Sequence, residues 1–455
     1  MSLKKIISVK GIMVAAAALL LFACKPEPVA VTGITLNATE LNLQPGVTAV
    51  LTATVEPKEA VYGTIAWSVS PKDTVKLTVD QKKKGTCTVE ALKEGKATVT
   101  AIVDGLRSVQ CPVAVNYKSI TNTAFIEALD TRAKDRSGKK VTVGWTKEPD
   151  GTVKLTPENL EKIRAVTKLD ISSYDIAVEE RLSDLSGIEY FTGLTYLSCS
   201  GNQLTELDVT KNTALTDLSC SGNQLTELDV TNNTELTYLD CYNNNLTELD
   251  VTKNTALTDL KCYDNNLTEL DVTKNTALTD LSCSGNQLTE LDVTKNTALI
   301  NLSCSGNQLT ELDVTKNTAL INLNCYENQL AALDVTKNTA LTLLQCFENR
   351  LTELDVTNNT ELTYLDCEDQ SISSLDVSQN TKLKQLWCGG NDLAELDITN
   401  NTALATLCCG NQTSDGSATQ DLALTLTAAQ KTTWESKWSS SSRNTNVTAT
   451  VKTTE

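Results

Sequence analysis

Histidine is absent from this 455-residue chain, and basic residues are scarce: 39 Lys and Arg stand against 57 Asp and Glu, for a formal net charge of −18. The absence of histidine excludes catalytic triads, general bases and zinc sites that depend on histidine. The acidic balance argues against nucleic acid as a partner, because phosphate binding needs a basic surface. Chemistry that uses carboxylates alone, as in glycosidases, stays open at this point.

The N-terminal apolar run, Ile12 to Phe22, is too short to span a membrane and indicates a secretory signal peptide. The sequence Leu21-Phe-Ala-Cys24 resembles the lipobox of bacterial lipoproteins. That resemblance implies removal of residues 1–23, acylation of Cys24 and a tether over residues 24–30, with acyl chains that hold the protein at the membrane. The alternative is an ordinary signal peptide with an incidental cysteine.

A 21-residue unit recurs from Leu194 to about Leu407, and its first eleven residues fit L-x-x-L-x-C-x-x-N-x-L. Self-similarity at a short fixed period predicts a solenoid. A single coil buries too little apolar surface to offset the entropy lost on ordering it, so neighbouring coils must complete one another's interiors. The pattern resembles the leucine-rich repeat, with cysteine in a slot that leucine usually holds. This implies a right-handed solenoid with its strands on the concave side.

Cysteine is frequent, and eleven of the 15 cysteines occupy the same position in successive repeats. Because they occupy a leucine position, we predict buried free thiols that pack as small hydrophobic side chains. Parallel Cβ vectors disfavour disulfides between coils, and the lack of any Cys-x-x-Cys spacing disfavours a metal site. The eleven are Cys199, Cys220, Cys241, Cys262, Cys283, Cys304, Cys325, Cys346, Cys367, Cys388 and Cys409.

Polar residues also recur in register. Two asparagine columns, through Asn223 and Asn233, are predicted to satisfy backbone groups at the turns, since an amide both donates and accepts. The aspartate column through Asp208 is compatible with calcium between coils. The simpler interpretation is that each Asp caps its own turn and lies near the lysine column through Lys211. No carboxylate pair differs from its copies in other repeats, so we predict no catalytic site, no metal and no cofactor.

Residues 31–116 contain short alternating apolar stretches separated by turn residues, which predicts a β-sandwich. The stretch Ile65-Ala-Trp-Ser-Val-Ser70, followed by Val89-Glu-Ala-Leu-Lys-Glu-Gly-Lys-Ala-Thr-Val-Thr-Ala101, is similar to the group 2 bacterial Ig-like domain. That resemblance implies a spacer or adhesion module, with Trp67 in its core. Cys87 and Cys111 both fall on inward positions, so a disulfide and two packed thiols are both compatible with the pattern.

The segments beside the repeats are predicted to cap the exposed ends of the stack. On the N-terminal side, Thr156-Pro157-Glu158 starts a helix, and Leu169–Ile171 and Leu185–Ile188 resemble degenerate repeat strands. On the C-terminal side, Thr427–Gln430 is a capping box that starts a helix with two tryptophans on one face.

Together these patterns predict a mainly β protein, an Ig-like β-sandwich followed by a right-handed leucine-rich repeat solenoid with α/β caps. Strands at Leu422–Leu426 and Val447–Val451 are expected within the C-terminal cap. The predicted boundaries are 1–23 for the signal peptide, 24–30 for the tether, 31–116 for the Ig-like domain, 117–193 for a connector and N-terminal cap, 194–410 for the solenoid and 411–455 for the C-terminal cap.

The repeats differ mainly at three outward strand positions, residues 3, 5 and 7 of each unit, which we call the concave face. Aromatic residues make up only 4% of the chain, yet seven of these positions between Tyr238 and Trp387 are aromatic. Exposed aromatic residues on a rigid platform provide contact area at little entropic cost, which predicts a ligand-binding surface. The candidate residues are Tyr238, Asp240, Tyr242, Asp259, Lys261 and Tyr263 (the first patch) and Tyr326, Phe347, Tyr364 and Trp387 (the second patch).

These features favour a lipid-anchored outer-membrane protein of a Gram-negative bacterium, exposed on the cell surface. By resemblance to adhesins and internalin-type receptors, the concave face would bind a protein of a host or neighbouring cell. The alternative is glycan capture, with aromatic rings stacked on sugars and polar side chains bonded to hydroxyls. Added salt should weaken binding of a basic protein but not of a glycan.

Overall fold

The computed structural model describes residues 27–412 and 421–452. The described part of the chain divides into two compact units, one up to Ser119 and one from Ile120 onward. The predicted signal peptide, Cys24 and the first residues of the tether lie outside the described residues. Within the described part of the chain, no helix is both long enough and apolar enough to cross a membrane.

The first unit is the predicted β-sandwich. Its strands are β1 (Gly33–Leu36), β2 (Leu41–Leu43), β3 (Thr48–Glu56), β4 (Ile65–Ser70), β5 (Val75–Val79), β6 (Thr86–Ala91), β7 (Gly95–Val103) and β8 (Arg107–Val115). They form two four-stranded sheets, in the orders β1-β3-β6-β5 and β2-β8-β7-β4. Alternation along each strand sends every second side chain inward, where Leu51, Val89 and Val99 are fully buried.

The side chains that the sequence assigned to the sandwich core do lie there. Trp67 is half-buried and packs against both hydrophobic clusters of the sandwich. Cys87 lies on β6 and Cys111 on β8, in opposite sheets, and both are buried free thiols. Of the two arrangements compatible with the sequence, the structure therefore has packed thiols.

The second unit begins with an N-terminal cap. Its elements are β9 (Ser119–Ile120), α1 (Thr123–Thr131), β10 (Val153–Lys154), α2 (Pro157–Arg164), β11 (Lys168–Asp170) and short 3₁₀ turns at Val178–Glu180 and Ile188–Tyr190. The predicted helix start is confirmed, because the Thr156 side chain accepts a hydrogen bond from the backbone N–H of Asn159. Edge-to-face contact between Phe125 and Phe191, with ring centroids 6.0 Å apart, fills the cap interior.

One predicted cap strand is present and the other is not. Leu169 lies in β11, which pairs in parallel with the first repeat strand. The strand predicted at Leu185–Ile188 is wrong, because a 3₁₀ turn begins at Ile188. Gly187 explains the difference: its φ of +113° is left-handed, and a Cβ there would lie 2.6 Å from the Ile120 side chain.

A twelve-stranded parallel sheet forms one side of the solenoid, starting from β11. Neighbouring strands pair in a register of one repeat, as Leu197 with Leu218 shows. The inward Leu and Cys of every coil are therefore stacked in columns. The repeat strands are β12 (Tyr196–Ser198), β13 (Asp217–Ser219), β14 (Tyr238–Asp240), β15 (Asp259–Lys261), β16 (Asp280–Ser282), β17 (Asn301–Ser303), β18 (Asn322–Asn324), β19 (Leu343–Gln345), β20 (Tyr364–Asp366), β21 (Gln385–Trp387) and, after β22 (Glu395–Asp397), β23 (Thr406–Cys408).

The return segments on the opposite side of these coils form no strands, apart from β22. Their Leu and Val side chains, such as Leu291 and Val293, are buried. All eleven column cysteines are fully buried free thiols, as predicted. Burial raises the pKa of these thiols, for example to about 12 for Cys283, so they stay protonated at neutral pH.

Both asparagine columns bond to the backbone, but in different ways. In the first column, Asn307 accepts from the backbone N–H of Leu288 and donates to the carbonyl of Cys304. In the second, Asn296 donates to two carbonyls while its Oδ1 is buried without a partner. The prediction that each amide both donates and accepts is therefore confirmed for the first column only.

The C-terminal cap consists of β24 (Leu422–Leu426), α3 (Ala428–Thr433), a π-helical turn (Trp434–Trp438) and β25 (Val447–Val451). The predicted capping box of Thr427 and Gln430 is present. Trp434 and Trp438 are buried against the last coil, and the indole N–H of Trp438 donates to the carbonyl of Ala405. The apolar end of the stack is thereby covered.

Candidate ligand-binding face

The concave face carries all ten residues that the sequence predicts for ligand binding. Asp240 is buried and the other nine are half-buried. The strand register puts Tyr238 beside Asp259 and Asp240 beside Lys261, so the first patch is contiguous. The second patch spans β18 to β21, where Asp366 pairs with Trp387. Two Ser- and Asn-containing strands, β16 and β17, separate the patches.

Two pairs of aromatic rings are stacked on this face. Tyr242 lies on Tyr263 with centroids 4.4 Å apart and planes 5° from parallel, and Tyr326 lies on Phe347 with 4.4 Å and 7°. Both pairs join equivalent positions of adjacent coils. The spacing of neighbouring strands, about 4.8 Å, is itself close to a stacking distance, so the repeat fixes each ring with little freedom left to lose on binding.

A tyrosine from the N-terminal cap extends the first patch. Tyr174 is half exposed, and its hydroxyl lies 3.2 Å from Ser221 Oγ and 3.4 Å from the Tyr242 hydroxyl. Its ring occupies space left by Gly201, where a Cβ would lie 2.7 Å from the ring. Tyr174, Tyr238, Tyr242 and Tyr263 thus surround Asp240 and Lys261, and we call these six residues the tyrosine cluster.

Asp240 is the most constrained charged group of the first patch. Its Oδ2 accepts from Tyr238 and Ser219, each at 3.3 Å, whereas its Oδ1 is buried without a hydrogen-bond partner. The backbone N–H of Tyr242 is near enough to lower the pKa of Asp240 but does not reach hydrogen-bond geometry. Burial outweighs the charge of Lys261 and these contacts, and raises the pKa of Asp240.

Two carboxylates lie beside the second patch, Asp366, which is buried, and Glu368, which is half-buried. Burial raises the pKa of Asp366 to about 6, and burial followed by repulsion from Asp366 raises the pKa of Glu368 to about 7. Tyr364 donates to Asp366 at 3.4 Å. Arg443, from the C-terminal cap, pairs with Glu368 at 3.2 Å and lies 4.8 Å from the Trp387 ring centroid.

Several residues of this face are absent from the sequence-based prediction. Arg136 and Tyr174 come from the N-terminal cap and Arg443 from the C-terminal cap, where no repeat register indicates where a side chain lies. Asp366 and Glu368 could have been found, because they occupy positions 5 and 7 of a repeat and follow Tyr364 as Asp240 follows Tyr238.

The opposite side of the solenoid is occupied by the aspartate column. Each Asp accepts from the residue two positions later, which is Ser378 for Asp376 and Thr in the other copies, as Asp208 does from the N–H and hydroxyl of Thr210 at 2.9 and 2.6 Å. These bonds lower the pKa of Asp208. The turn-capping interpretation is confirmed. Among the described residues, no group of three or more His, Cys, Asp or Glu side chains has an arrangement that could hold a metal ion.

Comparisons with known proteins show what the chain is similar to. Residues 30–113 match the family described as the bacterial Ig-like domain (group 2). No curated protein sequence matches the chain. Among solved structures, the functional domain of InlJ from Listeria monocytogenes, which includes a cysteine ladder, is 41% identical with a TM-score of 0.56. That alignment covers 65% of this chain and 63% of the InlJ chain, which is less than two thirds of its length.

Two further structures are more distant. An internalin, InlF from Listeria monocytogenes, is 20% identical over 67% of this chain and 90% of its own, with a TM-score of 0.46. The leucine-rich effector YopM from Yersinia pestis is 20% identical over 51% and 68%, with a TM-score of 0.39. The chain thus joins a group 2 bacterial Ig-like domain to a leucine-rich repeat solenoid of about twelve turns and a period of about 21 residues, with an internalin-type protein, InlJ, as a structural neighbour.

Proposed function

We propose that this protein is a lipid-anchored bacterial surface protein that binds a protein of a host or neighbouring cell through its concave face. The likeness to InlJ and the Ig-like domain support a surface binding protein. The stacked aromatic pairs are the observation that supports ligand binding by the concave face. They hold large apolar rings half-exposed in fixed positions, which is how interface hot spots obtain affinity at low entropic cost.

Glycan capture is the second candidate. It is favoured by a row of amides between the patches, where Asn322 donates to Asn301 at 2.7 Å and Asn301 donates to Asp280 at 2.5 Å. Against it, Arg443 covers one face of Trp387, the ring best suited to stack on a sugar. Protein binding is therefore the function that the geometry supports better.

Replacing the second patch with alanine, at Tyr326, Phe347, Tyr364 and Trp387 together, should lower ligand affinity at least 100-fold, because buried aromatic anchors dominate interface energy. Residues 25–455, which hold both folded units, would be used in host-protein pull-downs and on a glycan array. Ligands retained by the wild type would then be measured by titration.

Ser282→Ala with Ser303→Ala is the matched control, since both serines lie on the same face between the patches. Equal retention of every ligand by the four-site variant would refute the assignment of the concave face. Glycan capture would be favoured if the only ligands were found on the glycan array and their binding persisted at high salt.

The lipid anchor has a separate test. Replacing Cys24 with serine should move the protein from the membrane fraction to the soluble fraction and abolish labelling by an alkyne fatty acid, because acylation needs the thiol. Cys87→Ser, which alters a buried thiol of the Ig-like domain, should leave both properties unchanged. Persistent fatty-acid labelling of the Cys24→Ser protein would contradict acylation at this residue.

A further inference from the structure

Asp240 is a buried carboxylate that makes no direct ion pair, although the charge of Lys261 acts on it in the direction that lowers its pKa. Only 8% of the residue is exposed, and no cation lies within 4.0 Å of it in the described part of the chain. One of its oxygens also lacks a hydrogen bond. A buried charge without a direct partner is costly, and such groups are candidates for functional sites.

At two other places on the concave face, an arginine side chain lies beside both an aromatic ring and a carboxylate. Arg443 lies over Trp387 and pairs with Glu368, at 4.8 and 3.2 Å. Arg136 lies 5.3 Å from the Tyr196 centroid and pairs with Asp217 at 2.7 Å. In both cases a guanidinium satisfies the carboxylate and stacks on the ring, which suits its planar, weakly hydrated charge.

The tyrosine cluster has the ring and the carboxylate but lacks the guanidinium. Lys261 lies 5.3 Å from the Tyr238 centroid, yet its ammonium bonds to the Tyr238 hydroxyl at 3.3 Å and makes no ion pair with Asp240. The second Tyr-Leu-Asp strand, β20, differs here because the C-terminal cap supplies Arg443, which pairs with Glu368 two residues after Asp366 and lowers the pKa of Asp366. In the described part of the chain, no arginine forms an ion pair or a cation–π contact with Tyr238 or Asp240 of β14.

We propose that Asp240 and the tyrosine cluster form a binding site for a basic side chain, preferentially arginine, presented by a protein partner. The proposal deepens the function proposed above and depends on it. The incoming guanidinium would take the place of the Lys261 ammonium over Tyr238 and pair with the buried carboxylate. Lys261 is half-buried, and its long side chain can swing the ammonium away from Tyr238 without a change in the backbone. The acidic balance of the chain, −18, suits a basic partner.

The probe is a short fluorescent Gly/Ser peptide with two arginines, compared with the same peptide carrying citrulline, which is similar in shape but neutral. Titration into residues 25–455 at low salt should show at least tenfold tighter binding of the arginine peptide. Asp240→Asn should remove this preference. Asp280→Asn, which makes the same charge change on the same face, should preserve it.

Lys261→Met removes the competing ammonium and should tighten arginine binding about threefold, an increase that misfolding does not produce. Equal binding of the two peptides to the wild type, or an unchanged preference in Asp240→Asn, would overturn the proposal. Its failure is separable from that of the proposed function. If the natural partner is lost by Tyr242→Ala with Tyr263→Ala but kept by Asp240→Asn, the concave face still binds and the cation site does not exist.

Discussion

Replacing Asn307 with alanine should lower the free energy of unfolding by about 3 kcal/mol. Asn307 accepts from the backbone N–H of Leu288 at 3.0 Å and donates to the carbonyls of Cys283 and Cys304 at 3.1 Å. The two carbonyls keep other amide donors, from Asn286 and Asn328. The Leu288 N–H keeps none among the hydrogen bonds of the described residues, so an orphaned buried donor accounts for most of the loss.

Two matched variants test whether the loss of stability is specific to the Asn307 amide or would follow from any substitution in this coil. Gln308→Ala, at the adjacent exposed position, should change the stability by less than about 0.5 kcal/mol. Asn307→Gln should cost about 1 kcal/mol, because glutamine does the same task elsewhere: Gln370 accepts from Leu351 N–H at 2.9 Å and donates to the carbonyl of Cys346. Denaturant unfolding checks both. An alanine variant as stable as the wild type would contradict a structural role for the column.

The second large effect is a dependence of stability on pH that arises from Asp366 and Glu368. Their folded-state pKa values, about 6 and about 7, lie above those of free carboxylates, about 4. Between about pH 4 and pH 7 the native state therefore binds more protons than the unfolded chain, so stability falls as the pH rises through this window. No histidine titrates in the same range.

The double variant Asp366→Asn with Glu368→Gln should flatten this profile and be more stable than the wild type at pH 8 by about 2 kcal/mol. This stability difference is smaller than the two pKa shifts alone would give, because Glu368 is partly exposed and pairs with Arg443. Urea unfolding across pH 5 to 8 measures it. Asp292→Asn is the control, because hydrogen bonds lower the pKa of Asp292, so its contribution is lost only below about pH 4. A double variant that keeps the wild-type slope would refute the prediction.

The repeat made most of the solenoid predictable from sequence. A fixed period assigns each position to the interior, a turn or the surface, and the same assignment then holds for every copy, as for Cys199 and its ten equivalents. Local signals sufficed at the caps where they involve neighbouring residues, as in the capping box at Thr427. They failed at Leu185–Ile188, where an apolar pair resembles a strand but Gly187 directs the backbone into a turn.

The details of the candidate site depend on contacts between distant segments. Asp217 and Asp240 are both outward aspartates, yet only Asp240 is buried, because Tyr238 and the neighbouring side chains cover it. Arg136 and Arg443 lie 81 and 75 residues from the carboxylates with which they pair. No periodicity links such residues, so sequence could indicate the face but not which of its charges are already neutralised.

The parallel register has a consequence for the distance between the two patches. From β13 to β21, each repeat strand pairs with the copy one unit before it and the copy one unit after it. The distance between two positions on the sheet is therefore a whole number of coils. Gain or loss of a unit between β15 and β18 would keep the remaining strands in the same register, although side-chain bonds such as that of Asn322 to Asn301 would change, and would shift the aromatic pairs by about 4.8 Å. Duplication of a unit is therefore a direct way to match the protein to ligands of different size.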